Sequence, residues 1–316
     1  MNDLSRREFL AAGAAVAVTS TAIAADKETL PQKVLGRTGV KVPVLGLGTA
    51  PAGYRPLKDA VAFYHQCIDK GITYLDTAPK FAGYGDAQVF LGHVLKERRK
   101  EVFLVTKCWE PDGDKALALL KKNLAELQVE QADLVYAHSI GDDKMVPEKI
   151  YAKDGVCKAL DKAKKDGLTK FVGVSGHSRP DRFLKALQEW DFDVMMNAVS
   201  LVARHVYNFE EKVWPVAAKK GVALAAMKVL GGAPGGEKQP KGARLPAEMN
   251  QPALRYALGL PQVSVVVLGI HDVTELEQDL KWVKEYKPLA AEELAGLEKP
   301  TKELAEKWKA VYGPVV

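Results

Sequence analysis

Asp76, Lys107 and His138 each close or follow a short apolar run, at 73–75, 102–106 and 132–137, and the types complement one another. An Asp and a Lys brought together form a partly buried ion pair. A buried cation beside a tyrosine favours the phenolate, and so draws the tyrosine pKa down from about 10. A His can donate or relay a proton and orient a carbonyl oxygen. A tyrosine in that company becomes a general acid for a carbonyl, provided something else supplies hydride. Ser175, Asn197 and Lys228 end or follow later runs of the same kind. Singly, each has an ordinary explanation: an Asp opening a loop caps a helix, a Lys at a strand end is solvated, and a lone His is structural. Their shared position at successive strand ends is what points to chemistry.

The elements that must hold them recur regularly. After a hairpin over 34–45 turning at Thr38-Gly39, strand-length apolar runs fall at 44–47, 73–75, 102–106, 132–137, 170–174, 194–197, 222–226 and 264–268. Between them, stretches with helical spacing cover 57–70, 86–99, 115–127, 155–166, 180–190, 210–220, 249–258 and 273–283. Lys70-Gly71, Asp166-Gly167 and Lys220-Gly221 are helix-stop signals just ahead of strands. Eight strands alternating with eight helices, at a period of roughly 30 residues, predict a (β/α)8 TIM barrel. Chemistry then belongs at the C-terminal ends of the strands, where Asp76, Lys107 and His138 stand. An open doubly wound sheet is the competing arrangement, but Gly46-Leu47-Gly48-Thr49 is a poor match to its phosphate loop. The segment 290–312 reads as one or two helices laid over the barrel, so 26–316 reads as a single domain with an N-terminal β-hairpin and a C-terminal helical extension.

Composition narrows the class. The chain has 316 residues, 47% hydrophobic and 27% charged, as a soluble protein with a sizeable core requires. The net charge of +5 is spread along helix faces without a basic patch, which argues against a nucleic-acid partner. Cys67, Cys108 and Cys157 form no C-x-x-C or Cys/His cluster, which argues against a zinc or iron–sulfur site. Residues 1–25 differ from the rest: Arg6-Arg7-Glu8-Phe9-Leu10 opens a short apolar stretch that ends at Ala22-Ile23-Ala24. This is a signal-peptide pattern, and its paired arginines resemble a twin-arginine export signal. The resemblance implies the twin-arginine machinery as a partner, passage in the folded state and a periplasmic destination. No other segment is apolar enough to span a bilayer.

Longer motifs then come into register. Val34-Leu35-Gly36-Arg37-Thr38-Gly39, Leu45-Gly46-Leu47-Gly48-Thr49, Tyr74-Leu75-Asp76-Thr77-Ala78, Tyr84-Gly85-Asp86-Ala87-Gln88, Val105-Thr106-Lys107, Asp133-Leu134-Val135-Tyr136-Ala137-His138 and Gly173-Val174-Ser175 occur in order. Together they resemble the aldo-keto reductase superfamily from about 34 to 280. The resemblance implies a tetrad of Asp76, Tyr84, Lys107 and His138. In it, Tyr84 protonates a carbonyl oxygen, Lys107 paired with Asp76 tunes Tyr84, and His138 orients the substrate while a reduced nicotinamide delivers hydride. The loop before Tyr84 is longer than the family pattern, which leaves Phe81 as a second occupant of the acid position.

The implied cofactor-binding set is Gly48, Thr49, Ser175, Gly176, Asn197, Met227, Lys228, Leu230, Gly231, Gly269, Glu275 and Asp279. Gly176 stands where the family uses an Asn on the carboxamide, Asn197 where it uses a Gln, and Met227 where an aromatic stacks on nicotinamide. Leu230-Gly231-Gly232 offers backbone to wrap a pyrophosphate. Glu275 and Asp279 replace the residues expected near an adenosine phosphate, and His271, Lys238, Lys241 or Arg244 could compensate. NADPH and NADH both stay open.

The resulting expectation is a nicotinamide-dependent oxidoreductase that interconverts a small-molecule aldehyde or ketone and its alcohol. A non-catalytic or redox-sensing cofactor-binding barrel is the alternative, favoured by export away from the coenzyme pool. A metal hydrolase would need a second ligand beside His138, for which His177 is the candidate. Substrate identity and oligomeric state are not encoded in recognisable motifs; Tyr54, Trp109, Tyr207 and Trp282 are candidates for an aromatic wall.

Overall fold

Short runs rich in Val, Leu and Ala, each followed by an amphipathic segment, can bury both faces of a strand only if helices cover the outside of a parallel sheet. That is the arrangement in a computed structural model that describes residues 29–232 and 243–316. The predicted leader over 1–25 and the loop residues Lys238 and Lys241 lie outside the described residues. Strands β1 (Gln32–Val34) and β2 (Lys41–Pro43) form the antiparallel hairpin. The barrel strands are β3 (Leu45–Gly48), β4 (Tyr74–Asp76), β5 (Phe103–Cys108), β6 (Ala132–Ala137), β7 (Thr169–Gly176), β8 (Val194–Ala198), β9 (Ala223–Met227) and β10 (Val263–Gly269). Among the described residues these eight pair in parallel and in chain order, and β10 closes the ring by bonding both β9 and β3.

The outer layer comprises α1 (Leu57–Asp69), α2 (Ala87–Arg98), α3 (Gly113–Glu126), α4 (Pro147–Ile150), α5 (Val156–Lys165) and α6 (Pro180–Glu189). It continues with α7 (Phe209–Lys212), α8 (Trp214–Lys219), α9 (Asn250–Gly259), α10 (Val273–Lys284) and α11 (Ala291–Trp308). Helix α3 illustrates the logic. The Asp112 carboxylate caps its first turn by accepting from the Lys115 N–H at 3.0 Å, and Ala116, Leu120, Asn123 and Leu124 form the buried stripe. Each fully buried Leu of such a stripe contributes about 1.5–3 kcal/mol.

The predicted helix over 210–220 is instead two short helices broken at Val213. Pro215 sits in the first turn of α8, and its missing N–H cannot continue the ladder from α7. The predicted hairpin turn at Thr38-Gly39 is a 3-10 turn over Gly36–Thr38, closed by Gly39 in the left-handed region.

Side chains alternate between two cores. Tyr74, Phe103, Val105, Leu134, Tyr136, Val194, Met196, Ala225, Val265 and Val267 fill the barrel, and the larger cluster lies between strands and helices. Leu35 and Val42 from the hairpin pack into the interior cluster and plug its lower end. A Cβ on Gly36 would sit 2.7 Å from both the Ala223 nitrogen and the Gly221 oxygen, so that plug requires glycine. The other end is open, and the tail after α11 runs beside it. Tyr207 OH donates to the Gly313 carbonyl and accepts from the Tyr312 N–H, both at 2.9 Å.

Candidate active site

Strands β4, β5 and β6 are adjacent, and their register sets Lys107 opposite Tyr136 and Asp76 opposite Val105. This brings the predicted polar residues to one point. Lys107 Nζ donates to Asp76 Oδ1 at 2.5 Å, to the Thr77 carbonyl at 2.9 Å and to Tyr84 OH at 2.9 Å. Tyr84 OH in turn donates to Asp76 Oδ1 at 3.2 Å. Asn123 of α3 holds the Lys107 carbonyl at 2.9 Å, which fixes the strand end from outside. Burial pushes Asp76 up and Lys107 down, and their contact opposes both shifts. Removing one partner would therefore strand a buried charge.

The electrostatics of Tyr84 differ from the expectation that the cation would draw its pKa down. Burial first, and then the Asp76 carboxylate, hold the phenol well above its usual value. Tyr84 is thus a fully protonated donor at neutral pH, with Lys107 placed to receive the charge left behind when the proton goes. The alternative occupant is elsewhere: the Phe81 side chain is 56% exposed at the rim and stacks on Trp109, ring centroids 6.3 Å apart. Gly83 and Gly85, both with positive φ, let the chain bring Tyr84 back under that rim.

His138 follows β6, and its Nδ1 lies 2.9 Å from Ser175 Oγ on β7. Burial, and then the Lys107 charge, hold its pKa well below the usual value, so the ring is neutral. Nδ1 is engaged by Ser175, so Nε2 is the nitrogen available to a carbonyl oxygen, and it carries the hydrogen in the tautomer in which Ser175 donates to Nδ1.

These groups line one cavity of about 1610 Å³ at the open end of the barrel. That exceeds the roughly 300–1,000 Å³ of a pocket for a single small ligand. Of the residues predicted to bind a cofactor, Gly48, Met227, Lys228, Leu230, Gly231, Gly269, Glu275 and Asp279 line it. Four do not. Thr49 is buried with its hydroxyl on the Asp76 carbonyl at 3.1 Å, and Ser175 is buried beneath His138. Gly176 and Asn197 each lie one residue from the lining. Strand alternation turns both toward the helices, where a Cβ on Gly176 would meet Phe183 at 2.9 Å and both polar atoms of Asn197 are buried without a partner. The neighbours His177 and Met196 face the cavity instead.

Further lining residues had no strand-end signal. Arg179, Arg244, Asn250, Thr274, Gln278, Trp308 and Tyr312 come from loops, the start of α9, α10, the end of α11 and the tail. Trp109 and Trp282, predicted as wall candidates, line the cavity, as does Tyr54, whereas Tyr207 sits behind the tail. Among the described residues, no three His, Cys, Asp or Glu side chains form a metal-holding group.

The residues also suit a nicotinamide dinucleotide. Tyr84, Met227, Gly231 and the first turns of α10 line the same cavity, and Asp279 of α10, a mostly buried residue, faces it. A carboxylate so placed fits a hydroxyl-bearing ligand.

Comparison with known proteins agrees with this fold. The family model "Aldo/keto reductase family" matches residues 44–251. L-galactose dehydrogenase of Arabidopsis thaliana is 25% identical over 303 residues, covering 83% of this chain and 90% of that protein. Pyridoxal 4-dehydrogenase of Microbacterium luteolum is also 25% identical, over 81% of this chain and 94% of its own length. Among solved structures, the holo form of aldo-keto reductase AKR11C1 from Bacillus halodurans superposes with a TM-score of 0.69 at 23% identity. It covers 85% of this chain and 96% of that one. An aldo-keto reductase from Klebsiella pneumoniae, solved in complex with NADPH, gives 0.68 at 20% identity, over 87% of this chain and 95% of its own.

Proposed function

The chain belongs to the aldo/keto reductase family and is a nicotinamide-dependent oxidoreductase, and from that premise we propose that it interconverts an aldehyde or ketone and its alcohol, with Tyr84 as the general acid–base. The observation that carries this is the contact set of the Tyr84 hydroxyl: 2.9 Å from Lys107 Nζ, 3.2 Å from Asp76 Oδ1, and open to the cavity beside His138. A reduced nicotinamide, when bound, supplies the hydride that such a site needs. Met227, Lys228, Gly231 and Gly269 are the residues that would flank it.

The chain's own groups do the rest. Neutral His138 holds the carbonyl oxygen through Nε2–H, with Ser175 fixing the tautomer. Tyr84 passes its proton to that oxygen. Lys107, already within hydrogen-bond distance, stabilises the phenolate that remains, and Asp76 keeps Lys107 in place and charged. In the alcohol direction the same groups run in reverse. Phe81, Trp109 and Tyr54 at the rim limit water around the reacting carbon.

Tyr84→Phe tests the assignment. Carbonyl reduction should fall by about 10²–10⁴-fold, the usual contribution of a positioned acid, while dinucleotide affinity in a fluorescence titration stays unchanged. Undiminished turnover in the variant would remove Tyr84 from the mechanism. If dinucleotide binds but neither protein turns over any carbonyl in a broad panel, the non-catalytic reading takes its place. The leader over 1–25 supports an exported, periplasmic setting with the folded chain carried by the twin-arginine machinery.

A further inference from the structure

Lys107 turns its side chain into the barrel, so Thr106 beside it turns toward the helices. There it meets a group of buried polar side chains that the cavity does not reach. Gln88, in the first turn of α2, accepts from the Thr106 hydroxyl through Oε1 at 2.7 Å. Its Nε2 donates to Asn123 Oδ1 at 3.2 Å and to Glu126 Oε2 at 2.8 Å, both on α3. Asn123 in turn donates to the Lys107 carbonyl at 2.9 Å. Gln88, Thr106 and Asn123 are buried, Glu126 is half-buried, and none of the four lines the cavity.

Two segments of the site meet at that one amide. The Tyr84 carbonyl accepts from the Ala87 N–H at 3.1 Å, so the loop that carries the phenol runs directly into the first turn of α2 and Gln88. Lys107 follows Thr106 in β5. Gln88 therefore joins the backbone that delivers the Tyr84 hydroxyl to the backbone that delivers Lys107 Nζ, and those atoms stand 2.9 Å apart. Gly92, one turn on from Gln88, brings the helices together: a Cβ there would meet the Glu126 carbonyl oxygen at 2.4 Å. The residue type is as specific as the place. The side chain must accept once and donate twice in a buried setting, which an amide does. A carboxylate of the same shape would set acceptor against acceptor at Asn123 and Glu126.

We propose that Gln88 is a positioning residue, which locks the loop carrying Tyr84 to the strand carrying Lys107 and so sets the contact between the two side chains. Its consequence for catalysis rests on the reading of Tyr84 as the general acid–base. Lys107 must be within hydrogen-bond reach at the moment the phenol gives up its proton, and a misplacement of about 1 Å there costs on the order of 10²-fold in rate. Gln88 touches neither substrate nor cofactor space and acts only through Thr106, Asn123 and the helices that hold them.

The test compares Gln88→Glu, Glu126→Gln and the two together in the full chain. In protein carrying 3-fluorotyrosine, the fluorine NMR line of Tyr84, identified by its loss in Tyr84→Phe, reports the contact without any substrate. Gln88→Glu should move or broaden that line and lower kcat for carbonyl reduction by about 10- to 100-fold, with dinucleotide Kd and carbonyl KM held. Adding Glu126→Gln puts a donor opposite the new carboxylate and should restore the line and most of kcat, whereas Glu126→Gln alone changes neither. Thr106→Val, nearly isosteric and uncharged, cuts the amide from the strand; it should move the line in the same sense and serves if Gln88→Glu does not fold. An unmoved line in folded Gln88→Glu or in Thr106→Val, or a loss of kcat that Glu126→Gln does not restore, overturns the positioning role and leaves Tyr84 as the acid–base. A line that moves and returns in a protein that reduces no carbonyl upholds the positioning and overturns the acid–base reading.

Discussion

At the scale of single residues, burial does more than charge pairing to set the chemistry. The phenol of Tyr84 is held protonated, the imidazole of His138 neutral, and the His177 ring is pushed down to about 3 by burial and the Lys228 and Lys107 charges. Lys228 shows the same effect with a measurable consequence. It lines the cavity with φ +61, a conformation uncommon for a side chain of its size, and burial, then Lys107 and Arg244, bring its pKa to about 8. Because the value is depressed, the ammonium is present below about 8 and lost above it. Dinucleotide affinity should therefore weaken by about tenfold as the pH is taken from about 7 to 9.5, the worth of one charged hydrogen bond to a phosphate. In Lys228→Met, affinity should already be low at pH 7 and change little with pH. A flat profile for the unaltered chain would show that Lys228 does not face the anion.

At the scale of elements, legibility followed the parallel sheet. Asp76, Lys107 and His138 could be placed because a barrel dictates what strand ends do, and those three stand at ends. Asn197 and Gly176 each lie one residue away from the cavity lining. In a fully buried parallel strand both faces are apolar, so Val194–Ala198 offers no alternation from which to tell Met196 inside from Asn197 outside. Tyr84 against Phe81 was undecidable for another reason: two glycines at positive φ fold that loop back, and chain spacing does not record the turn. The tail was legible as one or two helices laid over the barrel, but the bonds that dock it were not. Its placement depends on Tyr207, whose hydroxyl bonds both Tyr312 and Gly313. Tyr207→Phe removes both bonds without removing the ring. It should speed hydrogen exchange over 309–316 and raise the KM for carbonyl substrate several-fold, with dinucleotide affinity and the tetrad's pH profile preserved. Unaltered exchange in the tail would mean that the docking of α11, through the Arg204–Glu298 ion pair and the His205–Thr301 contact, and the bonds from Arg179 to the Pro314 and Val316 carbonyls suffice without it.

At the scale of the molecule, the barrel separates a sealed end from a working end. The hairpin closes the lower mouth with Leu35 and Val42 and is tied down by Arg37, which donates to the Phe192 carbonyl at 2.7 Å and pairs with Asp191 at 2.6 Å. The cavity lined by Tyr84, Lys107 and His138 opens at the opposite face. The first buried residue among the described ones is Leu30, so a boundary at 25/26 leaves the plug and its ties intact. A chain that starts at residue 26 should then melt within about 1 °C of the full-length protein. Dinucleotide at a hundred times its Kd should raise either melting temperature by about 5 °C, since such occupancy adds about 2.7 kcal/mol to a domain of this size. Arg6→Lys with Arg7→Lys should leave these folding measurements untouched and still hold the protein in the cytoplasm, as followed by cell fractionation. Residues 1–25 act as an address if export is lost and stability is not. A leaderless chain that melts several degrees lower, or a double variant that still leaves the cytoplasm, would instead make those residues part of the fold.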